Sequence, residues 1–169
     1  MDAEGLRALQ QPLKDAYRED PAKAVITLRA RGELGEEEVS CSVETGRALA
    51  VAGLHPASGG DGTLACSGDM LLQALVACAG VTLRSVATSL EIPVSGTVRA
   101  EGDLDFRGTM AVDKSGATPV GFSAIRLIFD LHGDASEEQL ATLLDLTERY
   151  CVVYQSLTGG VPVTITRPR

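Results

Sequence analysis

The residues of this chain with the most distinctive chemistry are its cysteines, because a thiolate can act as a nucleophile, a redox centre or a metal ligand. The 169-residue sequence has four of them: Cys41, Cys66, Cys78 and Cys151. No two form a Cys-x-x-Cys pattern, and neither His55 nor His132 stands at ligand spacing from any of them. We therefore predict no metal site, which leaves reactive thiols or small buried hydrophobic side chains as the two interpretations.

The composition of the chain limits its classes of function. Its formal net charge is −8 at pH 7, from 15 basic and 23 acidic residues, so we expect no binding to nucleic acid. No uninterrupted apolar run reaches the roughly 18 residues that span a bilayer. The N-terminal sequence MDAEGLRALQ lacks the regions of a signal peptide. The sequence therefore predicts a cytoplasmic protein with no membrane partner and no cofactor, whose thiols stay reduced.

The start of the chain is predicted to be a helix over residues 3–18. Leucines recur there at spacings of three and four, and Pro21 ends the pattern. We interpret residues 1–20 as an N-terminal helical extension and residues 21–169 as a single domain. A partner-facing role for the extension would make the chain an acidic interaction module.

Alternation of polar and apolar residues predicts strands in the rest of the chain. The predicted strands cover residues 24–30, 37–43, 47–52, 94–106, 122–131 and 161–166. The first three form a meander. A helix is expected to begin after Ser136, because its hydroxyl and the Gln139 side chain suit a capping box.

A long helix is predicted between the two groups of strands. Ser67 is suited to its N-terminus, Asp69 stands in its first turn, and residues 70–90 contain almost no helix breaker. The first half is apolar on nearly every face, which favours a helix that lies between its own sheet and a second subunit. The element order predicts an α+β fold with antiparallel sheets packed around this central helix.

Two segments and the element order together resemble a known family. The first segment, residues 67–78, reads SGDMLLQALVAC, and the second, residues 150–157, reads YCVVYQSL. With the order of elements over about residues 23–166, they resemble the OsmC/Ohr family, named for osmotically induced protein C and organic hydroperoxide resistance protein.

The resemblance implies an intertwined homodimer with a cysteine-based peroxidase activity. Cys78 would attack a hydroperoxide and become a sulfenic acid, and Cys151 would condense with it to a disulfide. A dithiol reductant would then reopen that disulfide. The apolar residues around Cys78 favour an organic hydroperoxide over hydrogen peroxide as substrate. Cys41 and Cys66 are interpreted as structural, with Cys66 as an alternative partner of Cys78.

The resemblance also implies a cation beside the first cysteine. Apolar surroundings raise a thiol pKa, and Cys78 lies too far into its helix to benefit from the dipole. In the family an arginine held by an acidic residue lowers this pKa. Asp69 matches the acidic position, and Arg31 is favoured among three candidates that also include Arg29 and Arg47. Without such a cation, the chain would be a non-catalytic dimeric binding or scaffold protein with weakly reactive thiols.

Overall fold

A computed structural model describes residues 2–25, 27, 31–34, 40–44 and 49–167. The chain divides into two compact units. Unit 1 comprises Met1–Gln10, Ala74–Arg99 and Ile128–Arg169, and unit 2 comprises Gln11–Gln73 and Ala100–Leu127. The helices are α1 (Ala3–Glu19), α2 (Ser67–Ser89), α3 (Phe106–Thr109), α4 (Glu137–Tyr150) and α5 (Val152–Thr158). The strands are β1 (Arg31–Leu34), β2 (Ser40–Glu44), β3 (Leu49–Gly53), β4 (Ala65–Cys66), β5 (Ser95–Leu104) and β6 (Phe122–His132).

The predicted α+β class with antiparallel sheets is confirmed. Strands β1, β2 and β3 form an antiparallel meander, in which Arg31 pairs with Glu44. The short strand β4 adds to β3 in parallel, which the sequence did not predict. Strands β5 and β6 form a second sheet. It is antiparallel, because Ser95 near the start of β5 bonds to the carbonyl of His132 at the end of β6.

Three helices form where the sequence predicts them, and one predicted strand does not. Helix α1 carries Pro12 in its interior, and the capping box of α4 joins Ser136 and Gln139. Residues 161–167 have no regular secondary structure, so the strand predicted over 161–166 is wrong. Of the strand predicted over 24–30, residues 26 and 28–30 lie outside the described residues, and Ala24 ends a short 3-10 helix. The domain boundary at residue 20 stays a prediction.

Helix α2 buries one stripe of side chains within its own chain. The buried residues recur every four positions: Leu75, Ala79, Leu83 and Ala87. Residues at that spacing share one helix face. Val81, on another face, is 72% exposed, so the expected burial on all sides is not provided by a single chain. By length and composition alone, α2 could cross a bilayer, a test that the core helices of soluble proteins also pass.

The apolar core of unit 1 is formed by α2, α4 and the segment between α2 and β5. Leu83 and Ala87 of α2 pack with Ile92 and Val94, and Leu143 of α4 is fully buried in the same cluster. Phe129 of β6 packs against this cluster. The cluster fixes α4, whose C-terminal end carries Cys151.

One carboxylate closes the irregular segment between α3 and β6 in unit 2. Asp113 accepts hydrogen bonds from the backbone N–H groups of Ser115 at 2.9 Å and of Thr118 at 2.8 Å. The hydroxyl groups of both residues also donate to it. These donors, the Ser115 hydroxyl first, hold the pKa of Asp113 far below its usual value.

Candidate functional site

The two cysteines of the predicted catalytic pair lie in unit 1 on different helices. Cys78 is half-buried in the interior of α2, and Cys151 is buried. Cys151 stands at a corner of the chain, since it ends α4 and begins α5. Its backbone N–H donates to the carbonyl of Thr147 at 2.9 Å, which closes the last turn of α4. Helix α4 therefore ends at Cys151, and the short helix α5 begins there.

The thiols of Cys78 and Cys151, which are 73 residues apart in sequence, lie near enough to shift each other's pKa. The Cys151 thiol lies within hydrogen-bonding reach of the Cys78 sulfur. Both cysteines are free. A thiolate on Cys78 and a thiol on Cys151 therefore form a natural pair, with the second thiol as donor to the first sulfur.

The surroundings of Cys78 favour its thiolate. Burial raises the pKa of the Cys78 thiol, but the backbone N–H groups of Val153 and Val152 outweigh it together with two side chains. Those side chains are the Cys151 thiol and the Thr82 hydroxyl. The net result is a pKa of Cys78 below the ordinary value for a thiol, and a thiolate is the reactive form.

The same contact has the opposite effect on Cys151. Burial raises the pKa of Cys151, and the neighbouring Cys78 sulfur raises it further, while the backbone N–H of Tyr154 partly opposes both. Cys151 is 1% exposed, which fits a dominant effect of burial. The pair is thus asymmetric: one sulfur is poised to be a thiolate and the other to stay protonated.

Among the described side chains and backbone groups, those that lower the pKa of Cys78 are uncharged, whereas the resemblance implies a cation. Arg29 and Arg47 lie outside the described residues. Arg31 begins β1, and only its backbone is described. Asp69 is exposed in the first turn of α2 and lines a small pocket of unit 2. The roles of Arg31 and Asp69 at Cys78 stay predictions.

The sequence interpretation missed the donors that Cys78 receives. Thr82 stands four residues after Cys78 on α2. That spacing places both side chains on one helix face, so it was a usable signal. The N–H groups of Val152 and Val153 had no comparable signal. They are free because the first turn of a helix leaves its N–H groups without intrahelical partners.

The remaining cysteines are placed differently. Cys66 ends β4, is half-buried and lines a pocket of unit 2 together with His55. Of Cys41, only the backbone position in β2 is described. His55 is a hydrogen-bonded loop residue, since its Nδ1 accepts from the Ala57 N–H at 3.0 Å. Within the described ranges, no three His, Cys, Asp or Glu side chains are arranged to hold a metal ion.

Comparison with known proteins identifies relatives of the chain. The sequence profile of the OsmC family, described as OsmC-like protein, matches residues 60–166, which is more than half of the chain. The match includes both segments that carry Cys78 and Cys151. No curated protein sequence matches the chain significantly.

Solved structures share the fold at low sequence identity. An OsmC-like protein from Mycoplasma pneumoniae is 18% identical, with a TM-score of 0.64 over 79% of this chain and 89% of that one. An organic hydroperoxide resistance protein OsmC from Legionella pneumophila is 17% identical, with a TM-score of 0.58 over 80% and 91%. The organic hydroperoxide resistance protein OhrB of Bacillus subtilis is 18% identical, with a TM-score of 0.55 over 79% and 92%.

Proposed function

Because the chain belongs to the OsmC family of OsmC-like proteins, we propose that it reduces organic hydroperoxides with Cys78 as the attacking thiolate and Cys151 as the resolving thiol. The observation that carries the proposal is the proximity of the two thiols, which lowers the pKa of Cys78 and raises that of Cys151. The fold neighbours named organic hydroperoxide resistance proteins support the same class of activity.

The proposed reaction has three steps. The Cys78 thiolate attacks the terminal oxygen of a hydroperoxide ROOH, the O–O bond breaks, and the products are Cys78 sulfenic acid and, after one proton is taken up, the alcohol ROH. The Cys151 thiol then attacks the sulfenic sulfur, which forms the disulfide and releases water. A dithiol reductant finally exchanges with this disulfide, becomes a disulfide itself and returns both cysteines to thiols.

The two thiols suit these successive roles. The Cys151 thiol that donates towards Cys78 stabilises the attacking thiolate and is already beside the sulfur that it must attack next. The N–H groups of Val152 and Val153 and the Thr82 hydroxyl are also placed to stabilise negative charge at Cys78. Buried Leu75, one turn before Cys78, favours a substrate with an apolar R group.

We further propose that the active form is a cytoplasmic homodimer. Val81 on α2 is 72% exposed, and Val163 and Ile165 near the C-terminus are 87% and 99% exposed. Exposed apolar side chains on a central helix and on the C-terminal segment are suited to cover by a second copy of the chain. Analytical ultracentrifugation checks this proposal, and a monomer at micromolar concentration would contradict it.

The test of the function is a thiol count during oxidation by tert-butyl hydroperoxide. We expect the wild-type chain to lose two thiols per subunit and to yield a Cys78–Cys151 disulfide in peptide mass spectrometry. Cys78→Ser should lower the rate of thiol loss by a factor on the order of 1,000 or more, because the nucleophile is gone. Cys151→Ser should stop at a Cys78 sulfenic acid that dimedone traps.

The matched control is Cys66→Ser, which should oxidise like the wild type. If Cys78→Ser reacts as fast as the wild type, the catalytic proposal is wrong. A wild-type chain whose thiols resist the hydroperoxide would instead favour the non-catalytic alternative, a dimeric binding or scaffold protein.

A further inference from the structure

Unit 2 contains a pocket of about 390 Å³ that the proposed thiol chemistry does not use. That volume falls within the roughly 300–1,000 Å³ of typical small-molecule sites. Apolar side chains form most of its wall: Leu54, Leu71, Leu104, Phe106, Val120 and Phe122. The chain has only three phenylalanines, and two of them line this one pocket. Aromatic wall area is therefore concentrated where the molecule has space for a ligand.

The backbone of His55 at the pocket wall is fixed by its own loop. Its carbonyl accepts from the N–H of Ser58 at 2.8 Å and from the N–H of Gly60 at 3.1 Å. The loop is so tight that a Cβ at position 60 would lie 1.8 Å from the carbonyl oxygen of Leu54. A glycine is therefore required there, and the loop holds His55 in one place.

The imidazole ring of His55 is also fixed, which leaves one donor for a ligand. The ring stacks on Phe106 with centroids 5.0 Å apart. Its Nδ1 accepts a hydrogen bond from the N–H of Ala57, so the neutral ring carries its hydrogen on Nε2. The Nε2–H group is thus the donor that His55 brings to a mostly apolar pocket, whose wall also includes the hydroxyl residues Ser58, Ser67 and Thr109.

The opposite part of the wall is formed around Phe122. A Cβ at Gly102 would lie 2.5 Å from this ring, and a Cβ at Gly68 would lie 3.3 Å from it and 3.6 Å from the Cys66 sulfur. Both glycines therefore let the backbone approach the ring closely. Cys66 lines the same pocket as Phe122, so a bound molecule would cover its thiol.

We propose that this pocket binds a small uncharged aromatic molecule of one or two rings that carries one hydrogen-bond acceptor, such as a ketone oxygen. The ligand's rings pack against Phe106 and Phe122, and its oxygen accepts from Nε2–H of His55. Anionic ligands are disfavoured because Asp69 lines the adjoining smaller pocket and the chain has a net charge of −8. The proposal does not rest on the peroxidase function.

The first test compares two ligands that differ only in the acceptor, 2-acetylnaphthalene and 2-ethylnaphthalene, by equilibrium dialysis against the wild-type chain. The ketone should bind about three- to tenfold more tightly, the size of one hydrogen bond. His55→Phe keeps an aromatic ring but removes the donor, so it should abolish this difference. Equal affinities for the two ligands in the wild type would overturn the proposal.

A pair of phenylalanine variants tests the location. Phe106→Leu should weaken binding of 2-acetylnaphthalene about tenfold, because it removes the stacked ring of the wall. Phe129→Leu makes the same substitution in the core of unit 1 and should leave the affinity unchanged. A similar loss in both variants would overturn the assignment of this pocket.

A third measurement needs no variant and so does not depend on variant folding. Saturating 2-acetylnaphthalene should slow the alkylation of Cys66 by iodoacetamide at least threefold, as followed by peptide mass spectrometry, because the ligand covers the thiol. Unchanged alkylation of Cys66, or no saturable binding of the ketone at all, would rule out the site.

Discussion

The thiol pair of unit 1 and the pocket of unit 2 use cysteine in different ways. Cys78 and Cys66 are both half-buried and both free. Cys78 lies near a second thiol and receives backbone N–H groups, whereas Cys66 lines a mostly apolar cavity. Exposure does not distinguish these two cysteines. Their surroundings distinguish them. Hydrogen-bond donors and a second thiol suit Cys78 to redox chemistry, whereas the cavity beside Cys66 is suited to binding a ligand.

The largest effect is expected from weakening the scaffold of the thiol pair. Leu143→Ala removes a fully buried side chain from the core of unit 1 and should lower the free energy of unfolding by about 3 kcal/mol. Leu144→Ala, at a position that is 37% exposed, should change it by less than about 1 kcal/mol. Urea unfolding measures both values. Equal losses in the two variants would show that the described core does not support this unit.

A second variant should damage the pocket and spare the thiol pair. Gly60→Ala forces a Cβ against the carbonyl of Leu54, and we expect a loss of about 2 kcal/mol in stability and weaker binding of 2-acetylnaphthalene. The control is Lys114→Ala, at an exposed position of unit 2 that does not line the pocket. The alkylation rate of Cys78 should stay unchanged in both variants. A changed rate in Gly60→Ala alone would mean that the two regions are not independent.

The pH dependence of alkylation separates the two sulfurs of the pair. A lowered pKa gives Cys78 more thiolate at pH 7, and a raised pKa gives Cys151 less. Iodoacetamide should therefore modify Cys78 about tenfold or more faster than Cys151 at about pH 7, and the ratio should shrink as the pH rises through the pKa of Cys151.

Replacing Cys151 shows how much the second thiol contributes to the lowered pKa of Cys78. In Cys151→Ser, a hydroxyl replaces the thiol beside Cys78, and the midpoint of Cys78 alkylation reports what the second sulfur contributes. We expect the midpoint to move but to stay below the free-thiol value of about 8.5, because the N–H groups of Val152 and Val153 remain. A wild-type midpoint above that value would contradict the poised thiolate.

The smallest effect concerns a buried hydroxyl near the end of α4. The Thr147 Oγ1 atom has no hydrogen-bond partner among the residues that the structure describes, and the residue is 1% exposed. Thr147→Val removes this unpaired group at similar shape and should raise the free energy of unfolding by about 1 kcal/mol. Thr142→Val alters an exposed hydroxyl on the same helix and should change stability by no more than about 0.5 kcal/mol. Destabilisation by Thr147→Val would indicate a partner for its hydroxyl in solution.

The helices were predictable from the sequence because their signals are local. The capping box of Ser136 and Gln139 and the apolar run of α2 each specify a helix without reference to the rest of the chain. Strands depend on a neighbouring edge, so the alternating residues 161–166 could predict a strand that does not form in this chain. The parallel addition of β4 to β3 likewise has no local signal.

The candidate site was predictable in part for the same reason. Family resemblance led to Cys78 and Cys151, and the structure brings their sulfurs together. The charged partner expected at Cys78 was an inference from the cost of burying a thiolate, and uncharged donors also offset that cost. Every residue except proline has a backbone N–H group, so the sequence gives no sign that the N–H of Val153 is a donor to Cys78. The pocket of His55 and Cys66 depends on long-range packing and gave no sequence signal beyond the histidine itself.

The single side chain of Asp113 has a consequence for how an irregular segment responds to acid. Four hydrogen bonds converge on its carboxylate, and its pKa lies far below the usual value. Since the pKa of Asp113 is lowered in the folded state, the stabilisation by these hydrogen bonds is fully present above the unfolded pKa of about 3.9. It is lost as the pH falls through the folded pKa. The segment between α3 and β6 is thus held by hydrogen bonds to one ionised side chain, and protonation of Asp113 weakens them.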